Sequence, residues 1–188
     1  AYGYSGEGME YVRKVLEVKT ERSWEDLTKS LVFSKLGMDS TDWNPKGAVP
    51  GYRADGSAYA PLSSVRVNAA DDLYTTVGDY ARFLSYILKG AGLSPALYKE
   101  FLAQQVQTKK GKFFGLGLEA YDLEGSEPVY AHGGSDEGVR CIFFIDPSEG
   151  KGLLLLSNSD NGHVLFAPVL NIFWPEKGKK IVAAELGE

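Results

Sequence analysis

Apolar and polar positions alternate along this chain with two different periods. From Glu7 to Lys19, Val12, Val15 and Leu16 share one face with Tyr11 or Met9, and charges fill the other. That spacing predicts an amphipathic helix. Ser23-Trp24-Glu25-Asp26 is a capping-box variant with Asp at N3. It opens a second helix with a stripe of Trp24, Leu27 and Leu31, stopped at Gly37. Residues 39–69 lose all periodicity: Pro45, Pro50 and Pro61 and Gly47, Gly51 and Gly56 punctuate them, with Tyr52 and Tyr59 between. So long an irregular stretch reads either as a surface excursion or as the wall of a substrate cleft.

Thr76-Val77-Gly78-Asp79 is the next capping signal. Tyr80, Phe83, Leu84, Ile87 and Leu88 follow at helical spacing, and Gly90 ends the run. Ser94-Pro95 starts a short helix with Pro at its first position. After Lys110 the period changes to that of strands: Phe113 to Glu119, Pro128 to His132, Val139 to Ile145 and Gly152 to Ser157. The short turns between them predict an antiparallel meander. The last two strands are apolar throughout, which calls for cover on both faces. A closing helix, about His163 to Trp174, can cover one of them. Helices, then an antiparallel sheet, then a covering helix make an α+β fold in a single partial domain spanning residues 1–188.

Composition narrows the function. Lys and Arg number 20 against 25 Asp and Glu, a net charge of −5 with no basic run, which disfavours nucleic-acid binding. The longest apolar run, Leu153 to Leu156, is far too short for a transmembrane segment. Cys141 is the sole cysteine, so there is no intrachain disulfide, and it reads as a buried small hydrophobe. With two histidines, His132 and His163, a His-rich metal site is not expected, and no cofactor is implied. Asp71-Asp72 are adjacent carboxylates whose side chains diverge in most backbone conformations, so they do not suggest a metal site. The chain opens at Ala1 and enters a helix pattern almost at once, as a segment of a longer protein would.

Six short motifs stand in order: Tyr4-Ser5-Gly6; Lys35-Leu36-Gly37-Met38-Asp39-Ser40-Thr41; Asp72 to Phe83; Phe114-Gly115-Leu116-Gly117; Tyr130-Ala131-His132-Gly133-Gly134; and Ile145-Asp146-Pro147 with Leu156-Ser157-Asn158-Ser159-Asp160. In this order they resemble the C-terminal part of the serine β-lactamase-related family: class C β-lactamases, penicillin-binding proteins, DD-peptidases and related esterases. The resemblance runs from Tyr2 to about Trp174. It implies a β-lactamase/transpeptidase-like fold, incomplete at its N-terminal side. It also implies hydrolysis of a small-molecule ester or amide through an acyl-serine, with a Ser-x-x-Lys nucleophile, a Tyr-x-Asn motif and a Lys-Thr-Gly or His-x-Gly motif. By this resemblance Tyr4 is the motif tyrosine, a group that needs a neighbouring cation to act as a base because a free phenol titrates near pH 10. His132 stands in the lysine position of the third motif. Gly133 and Gly134 allow close backbone approach of the acyl group, and Ser135 supplies an oxyanion N–H. Gly6 stands where the family carries Asn, which argues against a penicillin-optimised site. Family resemblance alone favours a periplasmic or secreted location.

The nucleophile is missing. The one serine with Lys three positions on is in Ser148-Glu149-Gly150-Lys151, inside a predicted turn. The chemistry needs Ser and Lys one helical turn apart on one face, so the match is coincidental and the true motif is expected upstream of Ala1. The chain alone is therefore expected to be inactive, and to self-associate through surface left by the missing part, the apolar strands at 139–145 and 152–157 above all. A non-catalytic binding or sensor relative is the alternative. A plain interaction module would leave Tyr4 and His132 far apart.

Overall fold

The computed structural model describes residues 2–44, 47–60 and 67–187. Positions 45–46 and 61–66 of the irregular excursion, Pro45 and Pro61 among them, lie outside the described residues. Helix α1 (Gly6–Thr20) is capped by Ser5, whose hydroxyl accepts from the Gly8 N–H at 3.1 Å. Helix α2 (Trp24–Thr28) is capped by Ser23, continues through a π-helical turn at Lys29–Phe33 and closes as α3 (Ser34–Leu36) against left-handed Gly37. The wider π turn shifts the inward stripe by one position. Leu27 and Phe33 are buried with Met38 and Trp43, while Leu31, expected in the stripe, points to solvent.

Helix α4 (Val77–Leu88) begins at Thr76, which accepts from Asp79 N–H, and α5 (Pro95–Phe101) begins at Ser94. Six strands follow in sequence order across one antiparallel sheet: β1 (Val106–Lys109), β2 (Lys112–Phe114), β3 (Glu119–Tyr121), β4 (Val129–Asp136), β5 (Val139–Asp146) and β6 (Lys151–Ser157). The single strand expected over Phe113 to Glu119 is two. Gly115 N–H donates to Leu118 O at 2.7 Å, and Gly117, at φ 92°, turns the chain back. The strand expected to end at His132 runs on to Asp136. A 3₁₀ turn (Gly162–Leu165), α6 (Phe166–Phe173) and α7 (Pro175–Leu186) close the chain. Helix α7 and strand β1 had no clear sequence signal.

The sheet has a core on each face. Val129, Ala131, Phe144, Tyr121 and Leu123 pack against Leu170, Trp174 and Ile181 of the last two helices and their junction. Tyr130, Phe143, Ile145 and Ala120 pack against Leu84 and Ile87 of α4. The inner residues of the apolar strands are therefore covered on both faces, as their sequences require, while Val139 and Leu156 stay exposed.

A run of uncovered apolar residues lies on α1. An amphipathic helix ordinarily turns its apolar stripe inward. Here the positions turned toward the rest of the chain are Gly6, Glu10, Arg13 and Glu17. Arg13, 7% exposed, is held between Glu10 and Glu17, each at 2.8 Å. Glu10 also accepts from Ala69 N–H at 2.7 Å and Glu17 from Trp24 N–H at 2.9 Å. Carboxylates that satisfy backbone donors of neighbouring segments thus dock this helix, and its apolar residues are left outside.

Candidate active site at the open edge of the fourth strand

Strand β4 pairs with β5 along its whole length, from Tyr130↔Ile145 to Asp136↔Val139. Its pairing with β3 stops at Glu119↔Ala131. From His132 to Asp136 the outer edge of β4 has no strand partner among the described residues. Unpaired backbone groups on such an edge are free to bind another chain or a ligand.

The N-terminal segment occupies the vicinity of this edge. The Tyr2 ring lies 5.0 Å from Phe114, Phe114 lies 6.2 Å from His132 in an edge-on arrangement, and Tyr4 lies 6.4 Å from His132. Tyr4 is 64% exposed and His132 half-buried, so both rings present surface to solvent. The tyrosine and histidine singled out in the sequence are therefore neighbours. Gly6 lies one step into α1, where a side chain would meet only Ala70 Cβ, at 3.6 Å from its own Cβ.

The two glycines after His132 differ. Alternation places Gly134 on the α4 face with His132, and Gly133 and Ser135 on the opposite face. A Cβ on Gly134 would come within 2.7 Å of Cys141 Sγ, so packing already requires glycine there. A Cβ on Gly133 would meet its nearest neighbour, Cys141 O, at an ordinary 3.5 Å. Burial pushes the Cys141 thiol up, partly offset by the Gly134 backbone. Burial likewise pushes the nearby Tyr80 phenol up to about 12, keeping it neutral. An open groove of about 440 Å³ runs along the far side of the glycines, lined by Ser135, Arg140, Ile142, His163 and Phe166.

Asp160, which sequence reasoning quoted only as part of a motif, is the hub at the end of this edge. Its carboxylate accepts from Gly138 N–H and from Tyr59 Oη, both at 2.9 Å, and lies 3.4 Å from Arg140. Its backbone N–H donates to Tyr52 O at 2.9 Å, and Tyr52 N–H donates to Asn158 O at 2.9 Å. Residues 47–60 of the excursion are thereby tied to the β4–β5 turn. Gly51 and Gly138 approach so closely that a Cβ on Gly138 would lie 2.7 Å from Gly51 Cα.

Asp71 and Asp72 do different things. Asp72 accepts from Asn68 N–H at 2.8 Å and shapes the loop before α4. Burial, then the charges of Asp72 and Asp136, raise the Asp71 carboxyl. No group of three His, Cys, Asp or Glu suited to a metal ion occurs among the described residues. Among them, no helix is long and apolar enough to cross a membrane. Ser148 lies in the β5–β6 turn, where its hydroxyl donates to Asp146 at 2.6 Å, and Lys151 pairs with Glu149 at 3.1 Å.

An antiparallel sheet between two helical layers, with an open-edged His-Gly-Gly strand beside an N-terminal tyrosine, defines a β-lactamase/transpeptidase-type protein. The family model for β-lactamase matches residues 1–168, and the chain belongs to that family. The fold is shared with a penicillin-binding protein from Bacillus halodurans (TM-score 0.78, 18% identity, 92% of this chain and 56% of that one). It is also shared with a D-stereospecific amidohydrolase from Streptomyces sp. (0.73, 20%, 85% and 51%) and a class C β-lactamase (0.70, 15%, 86% and 54%). The chain thus spans about half the length of these structures. No curated protein sequence is significantly similar to it.

Proposed function

We propose that these residues form the proton-transfer and oxyanion side of an acyl-serine hydrolase that acts on a small ester or amide, the nucleophilic Ser-x-x-Lys coming from polypeptide outside this chain. The observation that carries the reading is the placement of Tyr4 beside His132 at the unpaired edge of β4. A serine oxygen arriving between them attacks the substrate carbonyl. Tyr4 then relays the proton, with the nucleophile's lysine as the cation that keeps it basic. Backbone N–H groups of the open edge, Ser135 foremost, receive the developing oxyanion, and Gly133 lets the acyl group approach the strand. His132 takes the place of the third-motif lysine next to the phenol.

The structural neighbours include a D-stereospecific amidohydrolase, a D-amino acid amidase and a class C β-lactamase, which supports the class but not one substrate. Gly6 favours esters or simple amides over penicillins, because it offers no side-chain donor to a substrate amide. The test is Tyr4→Phe in the protein that carries both this chain and its nucleophile. The acylation rate should fall by about 10²–10⁴-fold with substrate affinity little changed. Unchanged acylation would remove Tyr4 from the chemistry.

A second reading is a non-catalytic relative that keeps the cleft as a binding site. Gly6 and the Asp71-Asp72 pair favour it. Covalent labelling by an acylating probe separates the two readings, since a binder takes up none.

A further inference from the structure

The turn between β4 and β5 closes on the pairs Ser135↔Arg140 and Asp136↔Val139. On its other side β4 has no strand partner there among the described residues. The Ser135 backbone is therefore held from one side only, by β5 and by whatever fixes the turn.

The contacts that fix the turn lead to Asp160. Its carboxylate accepts from the Gly138 N–H, inside the turn, at 2.9 Å. It also lies 3.4 Å from the Arg140 guanidinium, directly across the ladder from Ser135. Nη1 of Arg140 donates to Asp136 O, at the end of β4, and to Val139 O, at the start of β5. The guanidinium is thus a staple across both strand ends, and Asp160 orients it. The Gly138 backbone is pressed against Gly51, whose segment is tied to the same carboxylate through Tyr59 Oη at 2.9 Å. Asp160 is anchored in turn: its N–H donates to Tyr52 O at 2.9 Å, and its carbonyl oxygen lies 3.1 Å from His163 Nδ1.

An oxyanion donor lowers a barrier only when it is already aimed at the developing charge, and a misplacement of about 1 Å costs on the order of 100-fold. We propose that Asp160 is a positioning residue: by clamping the β4–β5 turn through Gly138 and Arg140, it holds the Ser135 N–H in place as oxyanion donor. Its role rests on the acyl-serine reading of the site.

The test uses the protein that carries this chain together with its nucleophile. Its substrates are an aryl ester and the matching thionoester, in which sulfur replaces the oxygen that the donor receives. Asp160→Ala should lower kcat for the ester by roughly 10–100-fold, with KM changed less than about twofold. Sulfur accepts hydrogen bonds poorly, so a displaced donor matters less to the thionoester, and the ester-to-thionoester rate ratio should fall with kcat. Asp160→Asn keeps an oxygen for the Gly138 N–H and should restore most of the ratio. Arg140→Met removes the staple, should lower the ratio as Asp160→Ala does, and carries the same test should Asp160→Ala not fold. A general loss of stability slows both substrates alike, so a lowered kcat with an unchanged ratio overturns the proposal, as does an unchanged kcat. A parent that takes up no acylating probe overturns the acyl-serine reading and this role with it, an outcome distinct from an acylated parent whose variants are no slower.

Discussion

The ring of Tyr4 packs 6.4 Å from that of His132, although one stands at the start of the chain and the other in the middle of the sheet. The contact exists because β3 ends opposite Ala131 and leaves room at the edge of β4. Had β3 continued, the edge would be closed by strand pairing and neither ring would face an open site.

The 188-residue chain alone should show no turnover of a chromogenic cephalosporin or an aryl ester. Ser148 is the one serine with a lysine three positions on, yet its hydroxyl is engaged by Asp146 and the lysine by Glu149. Activity that survives purification controls and vanishes in Ser148→Ala would refute this.

Gly134→Ala should destabilise the fold by about 1–3 kcal/mol, because the new methyl group overlaps the Cys141 sulfur and a packed strand yields little. Cys141→Ala in the same chain should recover part of that loss, a coupling readable in a double-mutant cycle of denaturant melts. If the two losses simply add, the clash is not what makes Gly134 necessary.

Lys177→Met should cost about 3 kcal/mol at neutral pH, since it strands Asp146, which is fully buried and pairs with Lys177. Burial raises the Asp146 carboxyl, but bonds from Lys177, Ser148 and Glu149 N–H outweigh it and hold it below its usual value. Lys177, then Lys151, pull Glu149 down to about 2. Both groups titrate lower folded than unfolded. Their contribution is therefore complete above the usual carboxylate range and drains away as pH falls toward about 2. Acid unfolding of Lys177→Met should accordingly set in at higher pH than in the parent; coincident acid limbs would contradict the assignment.

Asp160→Ala should loosen two distant segments together. Hydrogen exchange ought to accelerate in both residues 50–59 and the β4–β5 turn around Gly138, since one carboxylate serves both. Acceleration confined to the 3₁₀ turn would show that the excursion is held by other means. Asp160→Asn, which keeps an acceptor oxygen, should show the smaller effect.

Local chemistry was legible in the sequence wherever a signal sits within a few residues of what it controls. Ser23, Thr76 and Ser94 cap helices because each hydroxyl reaches a backbone N–H three positions on. The nearly continuous apolar run from Val139 to Ile145 signalled a strand covered on both faces, and the order of six short motifs indicated the family. Signals failed where two structures suit the same residues. Phe-Phe-Gly-Leu-Gly-Leu-Glu suits one strand as well as two, and only the positive φ of Gly117 decides.

Tertiary structure alone determined which way α1 faces, and where β3 stops. Periodicity reports that a helix has an apolar side, but not which side is docked. Here docking is set by donors on Ala69 and Trp24 that need the carboxylates of Glu10 and Glu17, and those partners lie far away in sequence or across a turn. The same holds for Asp160, whose carboxylate joins Tyr59 to Gly138. No local pattern encodes such a contact, because its energy comes from groups brought together only once the sheet has formed. The chain's residues thus indicated the family, and the sheet's register decided which of them stand at one edge.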